Sequence, residues 1–394
     1  MKQIYEKFKD ELLNSCVPFW LNNGVDEEFG GLINCLDRTG KVYSDDKSVW
    51  MQGRCAWTFS YIYNHIEQKQ EYLTIAKSCL EFATNHCIDD DGRMYFTVTR
   101  EGKPLRKRRY WFSETFYVMA NAEYYVATKE EYYLQTARKY FNFVYGMYQD
   151  PSSDPFKITP KGYAETRNTK TLANPMILLN VASIMRDADP ENFAYYDEII
   201  TGLMEDIKCF YKPEYKATFE NIRAEDNGVV LNSSPCRVIN PGHDIECSWF
   251  LLEEGIKRKD EKIIDLASKI FEDAFAFGWD KEYGGITYFK DILGFPVEAY
   301  EHDMKLWWPH NETVIASLMF YLYTGDEKYK KIFDLVEEYA FSHFSDREYG
   351  EWFGYLRRDG KPTEPPCKGH TYKGPFHVMR MLAKCIVLLD GNKK

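Results

Sequence analysis

Three stretches of this chain are near copies of one another: Asp26-Glu27-Glu28-Phe29-Gly30-Gly31, Asp280-Lys281-Glu282-Tyr283-Gly284-Gly285 and Asp346-Arg347-Glu348-Tyr349-Gly350-Glu351. A fixed internal period constrains a fold more than any local signal, because each repeat is one supersecondary unit stacked on its neighbours. The last two copies begin 66 residues apart, and weaker relatives at Asp90-Asp91-Gly92, Asp154 and Glu214-Tyr215 carry the period back to Asp26. Six units of about 65 residues therefore span the sequence.

Each unit reads as a short hairpin followed by helical stretches. Alternation around glycine turns marks the hairpins, as in Gly31-Leu32-Ile33-Asn34-Cys35-Leu36 and Gly285-Ile286-Thr287-Tyr288-Phe289-Lys290. Apolar spacing of three to four residues marks helices near 2–22, 48–65, 71–86, 113–127, 131–148, 171–187, 193–211, 242–258, 261–277, 307–323, 327–344 and 372–390. Two helices in each of six repeats predict an all-α toroid, with alternate helices lining an inner ring and short β-hairpins in the connections. With no linker or low-complexity stretch, residues 1–394 are expected to form one domain.

Composition narrows the function classes. The start of the chain reads as an amphipathic helix, with no charged leader followed by an apolar run, and no window holds the ~20 apolar residues a membrane span needs. A cytoplasmic protein is expected. Its ten cysteines are scattered, with no CxxC pair, and read as small buried hydrophobes. The net charge of −11 disfavours nucleic acid and anionic lipid as partners. One basic run, Arg100 to Arg109, opposes that sign and reads as a solvated loop, or else as a patch at a pocket mouth or subunit contact.

The six inner helices should open near residues 48, 113, 171, 242, 307 and 372, and those openings carry the least ordinary residues of the chain. They include Trp50 and Arg54, Glu114, Asn174, His243 with Glu246, Trp307, Trp308 and Glu312, and Phe376 with His377. In a ring of helices pointing one way, all six openings lie at one end. Flat apolar faces beside a few directional polar groups describe a small-molecule pocket, and aromatic faces with carboxylates and amides suit a sugar. Each residue also has a plainer reading. His243 and Glu246 are three apart and can simply pair on one helix face; His377 between Phe376 and Val378 can be a satisfied core histidine; Arg54 can belong to a structural ion pair; and Trp307-Trp308 can be core. What favours a site is that unusual polar residues recur at one phase of the repeat. His310 is a secondary contact candidate. No HExxH or Cys/His cluster suggests a metal, and there is no nucleophile elbow, phosphate loop or dinucleotide fingerprint.

At these residues the chain resembles the N-acylglucosamine 2-epimerase family over nearly its whole length. The strings that carry the likeness are Leu36-Asp37-Arg38, Val49-Trp50-Met51-Gln52-Gly53-Arg54, Phe112-Ser113-Glu114, Asn174-Pro175-Met176, Asn240-Pro241-Gly242-His243, Lys305-Leu306-Trp307-Trp308-Pro309-His310, Glu348-Tyr349-Gly350-Glu351-Trp352-Phe353-Gly354 and Phe376-His377-Val378. The resemblance implies an (α/α)6 barrel, interconversion of N-acetylglucosamine and N-acetylmannosamine, and a homodimer. It implies that His377 removes the carbon 2 proton of the gluco form, that His243 returns one to the opposite face, and that Glu246 orients His243. Arg54 is the expected donor to the enolate oxygen, with Glu114, Asn174, Trp308 and Glu312 as substrate contacts. The chemistry needs no cofactor. ATP activates some members, but Pro375 and the loop Lys368–Gly374 depart from the vertebrate pattern and weigh against it here. No histidine lies between His86 and His243, where cellobiose epimerases carry one, which points to the N-acyl branch. The rival readings are an epimerase or isomerase of unacetylated sugars such as mannose or cellobiose, a glycoside hydrolase or lyase using Glu246 and Glu312, and a non-catalytic binding role.

Overall fold

The computed structural model describes residues 1–108, 110–156 and 168–391. Its helices follow the apolar periodicity closely. The first rod runs from α1 (Lys2–Asp10) through a π-helical turn (Glu11–Cys16) into α2 (Val17–Asn23). It is followed by α3 (Val49–His65), α4 (Gln70–His86), α5 (Phe112–Thr128), α6 (Glu131–Gln149), α7 (Ala173–Ala188) and α8 (Phe193–Lys208). The chain continues with α9 (Pro241–Arg258), α10 (Glu261–Gly278), α11 (Trp307–Thr324), α12 (Glu327–His343) and α13 (His377–Gly391). The last helix opens five residues later than its periodicity predicts. Pro375 disfavours helical backbone at Gly374, and Lys373 is drawn instead into a buried ion pair with Glu351 at 2.8 Å.

Burial separates two layers. Helix α11 buries fourteen of its eighteen residues, whereas α12 buries seven of seventeen, on one face. A helix apolar all round must be enclosed, and one with an apolar stripe must face water. Accordingly α3, α5, α7, α9, α11 and α13 each contact the next, and α13 returns to α3, closing a ring of six. The even-numbered helices from α4 to α12, with the first rod, pack outside it. At Gly53 any Cβ would stand 2.7 Å from the Phe116 carbonyl carbon, so glycine permits the close approach of α3 and α5. No helix among the described residues is long and apolar enough to cross a membrane. All ten cysteines are free, and eight are buried.

The expected hairpins are shorter than the alternation suggests, and several pair between repeats. Lys47–Ser48, just before α3, pairs with Thr97–Val98 of the next unit. Val238–Ile239, before α9, pairs with Lys290–Asp291, and Lys305–Leu306, before α11, with Tyr355–Leu356. The repeated Asp-Gly segment explains how this crown is held. Asp26, Asp280 and Asp346 each accept the backbone N–H two residues on, and the turn then passes through left-handed glycines such as Gly30 (φ 78°) and Gly284 (φ 73°). Each aspartate also takes one fully buried lysine and one arginine from another unit. Asp26 pairs with Lys47 and Arg100, both at 2.8 Å; Asp280 with Lys305 at 2.8 Å and Arg358 at 3.0 Å; and Asp346 with Lys368 at 3.1 Å and Arg38 at 2.7 Å. Thus Arg100, read from sequence as part of a basic loop, is tied to Asp26, and Lys107 of the same run holds Asp89 and Asp91 at 2.6 Å each.

The third copy closes the ring. Where the others end in glycine it has Glu351, at φ 58°, whose carboxylate accepts from the Trp20 indole at 2.7 Å and from Lys373 at 2.8 Å. Trp352 in turn donates to Glu11, inside the π-helical turn, at 2.8 Å.

Burial alone would raise the carboxyls of Asp26, Asp280 and Asp346, but their arginine and lysine partners outweigh it and hold them below the usual carboxylate range, Asp346 at about 2. A depressed folded-state pKa contributes stability that is complete above the unfolded value of about 3.9 and is lost as pH falls through the folded one. Urea midpoints should therefore hold down to about pH 4.5 and drop steeply toward pH 2. Asp280→Asn, which leaves Lys305 buried without its counter-charge, should cost ~3–5 kcal/mol at neutral pH, read as a lowered denaturation midpoint, and should flatten the acid limb.

Candidate active site

The N-terminal ends of the inner helices enclose a cavity of about 650 Å³. A small-molecule pocket is expected in this size range, apolar with a few placed polar groups. Its apolar lining includes Trp50, Phe112, Phe116, Met176, Trp308 and Phe376, and its polar lining includes Arg54, His243, Glu246, His377 and Arg380.

His243 stands at the third residue of α9. Asn240 caps that helix, its side chain accepting the His243 N–H at 3.2 Å, and Pro241 supplies the preset first helical residue. At Gly242 a Cβ would meet the Trp308 ring at 2.5 Å, so only glycine lets that indole lie against the start of α9. The Trp308 ring touches both imidazoles, at 5.3 Å from His243 and 5.9 Å from His377 between centroids. Helix α11, which carries Trp308, sits between α9 and α13, so the two histidines flank one indole in one cavity.

Each imidazole has its own carboxylate. The Nδ1 of His377 lies 2.8 Å from Glu312, and the Nδ1 of His243 lies 2.9 Å from Glu220. With Nδ1–H donated in each case, Nε2 is the nitrogen left to act. The Glu220 backbone carbonyl also accepts Leu172 N–H at 3.0 Å, fixing the loop against the start of α7.

The surroundings differ in sign. Burial first, then the cations of Arg380 and Arg54, hold His377 well below the ordinary histidine range, against the opposing charge of Glu246. Burial would also lower His243, but Glu220, through charge and hydrogen bond, and Glu246 outweigh it and raise the pKa. Two titratable groups pushed apart across one cavity make an acid and a base at the same pH.

Arg380 is the cation of the cavity floor. One of its nitrogens donates to both Glu246 and Glu312, the latter at 2.6 Å. Glu246, Glu312 and His377 bring ligand atoms within 4.8 Å of one another, but the Arg380 guanidinium already bonds both carboxylates and places a positive charge between them, so the donor set does not suit a metal ion. Arg54 is different. Its Nε is buried with no hydrogen-bond partner among the described residues, its guanidinium lies over Phe116 at 4.1 Å and Phe376 at 4.7 Å, and burial lowers its pKa to about 9. A buried cation without a bonded anion is costly to keep and marks a place where negative charge can arrive.

Several residues expected at the site lie elsewhere or act through other partners. Glu246, expected to orient and charge-support His243, adds its charge to the raised pKa but does not orient the ring. Although three residues apart on α9, the histidine turns to Glu220 while the carboxylate crosses the ring to Arg380. Glu114 is fully buried outside the cavity lining, accepting from Arg93 at 2.6 Å and from the Met94 N–H at 2.8 Å, and serves the crown. Asn174 lines a neighbouring cavity of about 460 Å³ with Trp111, Thr171 and Asp206. Glu312 meets His377 and Arg380 and is not among the lining residues. His310 is a core histidine, accepting the Ile286 N–H at 2.9 Å through Nε2, with burial lowering its pKa to about 3. Glu220 and Arg380 were missed by sequence reasoning. Arg380 had a signal, a charged residue three positions after His377 and so on the same helix face; Glu220 sits in a loop and had none.

Removing the Glu220 charge should lower His243. In Glu220→Gln the His243 imidazole should titrate at lower pH than in the native protein, with His377 little moved, as read by NMR of the ring protons.

A model of the N-acylglucosamine 2-epimerase (GlcNAc 2-epimerase) family matches residues 31–379. The N-acylglucosamine 2-epimerase of Bos taurus is 38% identical over 385 residues, covering 96% of this chain and 90% of that protein. That of Homo sapiens is 36% identical, covering 99% and 91%. Among solved structures, the cellobiose 2-epimerase from Bacillus thermoamylovorans superposes with a TM-score of 0.84 at 21% identity, covering 98% of this chain and 99% of that one. A D-mannose isomerase gives 0.83 at 17%, covering 99% and 98%. At those identities the structural likeness establishes the fold.

Proposed function

The chain belongs to the N-acylglucosamine 2-epimerase family, and from that premise we propose that it inverts carbon 2 of N-acetylglucosamine and N-acetylmannosamine by moving one proton off and another on. The observation that carries this reading is the pair of imidazoles on either side of Trp308, with pKa values displaced in opposite directions.

In the open-chain sugar the hydrogen on carbon 2 lies next to an aldehyde and becomes removable. His377, neutral at cell pH because of burial and its two arginine neighbours, takes that proton from the gluco form. Carbon 2 becomes planar and the charge passes to the carbonyl oxygen. Arg54, a cation with no bonded anion among the described residues, is the group suited to meet it. His243, whose protonated form Glu220 favours, then gives a proton to the opposite face, and the configuration is inverted. In the reverse direction the roles exchange. Arg380 keeps Glu312 and Glu246 as compensated carboxylates, so that Glu312 can accept the His377 Nδ1–H without being left as a bare buried charge.

Hydrolysis of a glycoside fits less well. It requires two carboxyl groups free to act on either side of a bond, whereas Glu246 and Glu312 converge on the same nitrogen of Arg380.

Incubating N-acetylmannosamine with the protein in deuterated water should place deuterium at carbon 2 of the N-acetylglucosamine formed. A product without deuterium, or an unchanged sugar, would refute the reading. His377→Asn should abolish the exchange while the thermal transition stays near native, and Arg54→Met should slow turnover by ~10²–10³. In the gluco-to-manno direction the alkaline limb of the rate profile should report His243 and move to lower pH in Glu220→Gln, because the charge that raises its pKa is gone.

A further inference from the structure

We propose that the wall of the cavity opposite Trp308, formed by Phe116 and Met119 on α5 and Met176 and Ile177 on α7, is the recess that receives the N-acyl chain, and that Met119 and Met176 set how long that chain can be. The assignment rests on the epimerase reading above for where carbon 2 sits.

The geometry follows from the ring order. Helices α9 and α13, which carry His243 and His377, are separated by α11 alone, so α3, α5 and α7 lie on the far side of the line joining the two imidazoles. A carbon exchanging its proton between two bases must present one face to each. Its three remaining substituents therefore spread in the plane between them, toward Trp308, along the barrel axis, or toward α5 and α7. The Trp308 indole closes the first direction.

The far wall is apolar where a hydroxyl would need partners. Phe116, Met119 and Met176 line the cavity and are nearly inaccessible to solvent. An unsubstituted sugar would leave this surface against a hydroxyl or trapped water, whereas an acyl chain covers it with carbon. Amide recognition is available at the same wall. Asn180, one turn beyond Met176 on the same face of α7, lines the cavity, and no described residue hydrogen-bonds its carboxamide, which can take both the N–H and the C=O of an amide. Methionine is a flexible filler, and both methionines are packed from behind by the core of the barrel, so the recess has a floor. A bounded apolar recess discriminates chain length steeply, by ten-fold or more per unaccommodated methylene.

The test uses the reduced open-chain N-acetyl, N-propanoyl and N-butanoyl hexosaminitols, which cannot epimerise. Binding is followed by tryptophan fluorescence, so the recess is read without turnover. In the native protein the dissociation constant should rise by about ten-fold or more for each methylene added from N-acetyl to N-butanoyl. Met176→Ala, and as a second variant Met119→Ala, should reverse that preference by about ten-fold toward N-butanoyl, a gain that unfolding cannot mimic. A flat series in the native protein overturns the proposal, as does an unchanged preference in the variants. Deuterium exchange at carbon 2, measured separately on N-acetylmannosamine, tests the epimerase reading by itself, so loss of one leaves the other standing or fallen on its own result.

Discussion

Three lysines, Lys47, Lys305 and Lys368, stand fully buried where the connecting segments enter the inner helices, and each is tolerable only because an aspartate is held against it. That pairing is the constraint on which the barrel is organised. The aspartate turns the chain by accepting a backbone N–H, neutralises the lysine ahead of the next inner helix, and takes an arginine from another unit. In three of the six repeats one residue thus joins the turn, the approach to an inner helix and the contact between repeats. The helices supply the apolar mass; the aspartates tie down the segments that lead into α3, α11 and α13.

That placement gives the cavity its electrical asymmetry. His243 and His377 occupy equivalent places on helices two apart in the ring, with the same indole between them. Their difference comes from what lies behind each ring. His243 has Glu220 behind it and, among the described residues, no cation bonded to either, whereas the carboxylate behind His377 is shared with Arg380, and Arg54 adds a second positive charge nearby. The same side chain is therefore favoured in its protonated form on one side of the cavity and in its neutral form on the other, by the charges set around each ring.

Much of this was legible in the sequence, because the fold is written in two periods. The 3.6-residue apolar period located the helices to within a few residues, and the 65-residue period sorted them into layers and gathered Trp50, Arg54, His243, Trp308 and His377 at one end. What periodicity cannot carry is the choice of partner. Glu246 and Glu220 were both available to His243, and the nearer in sequence lost because Arg380, across the ring, drew it away. Glu114 shares the repeat phase of the site residues, yet its partner Arg93 stands in the hairpin, so its side chain serves the crown. Asn174 precedes Pro175 at the first turn of α7 and faces the adjoining cavity, whereas Met176, Ile177 and Asn180 further along the helix face the histidines. A phase assignment locates a turn of helix; the direction of a side chain within that turn is decided by packing.

The junction between the first and last units has a kinetic corollary. The contacts of Arg38 with Asp346, Trp20 with Glu351 and Glu11 with Trp352 each join residues more than three hundred positions apart, and contacts of such span are the slowest for a chain to find. Helix α13 enters its place between α11 and α3 at the same junction, carrying His377 and Arg380 with it. A ribosome therefore releases most of this barrel before His377 can be seated. Intermediates on the way to the closed ring would hold a sugar-sized hollow with one imidazole on its wall and no second one to face it.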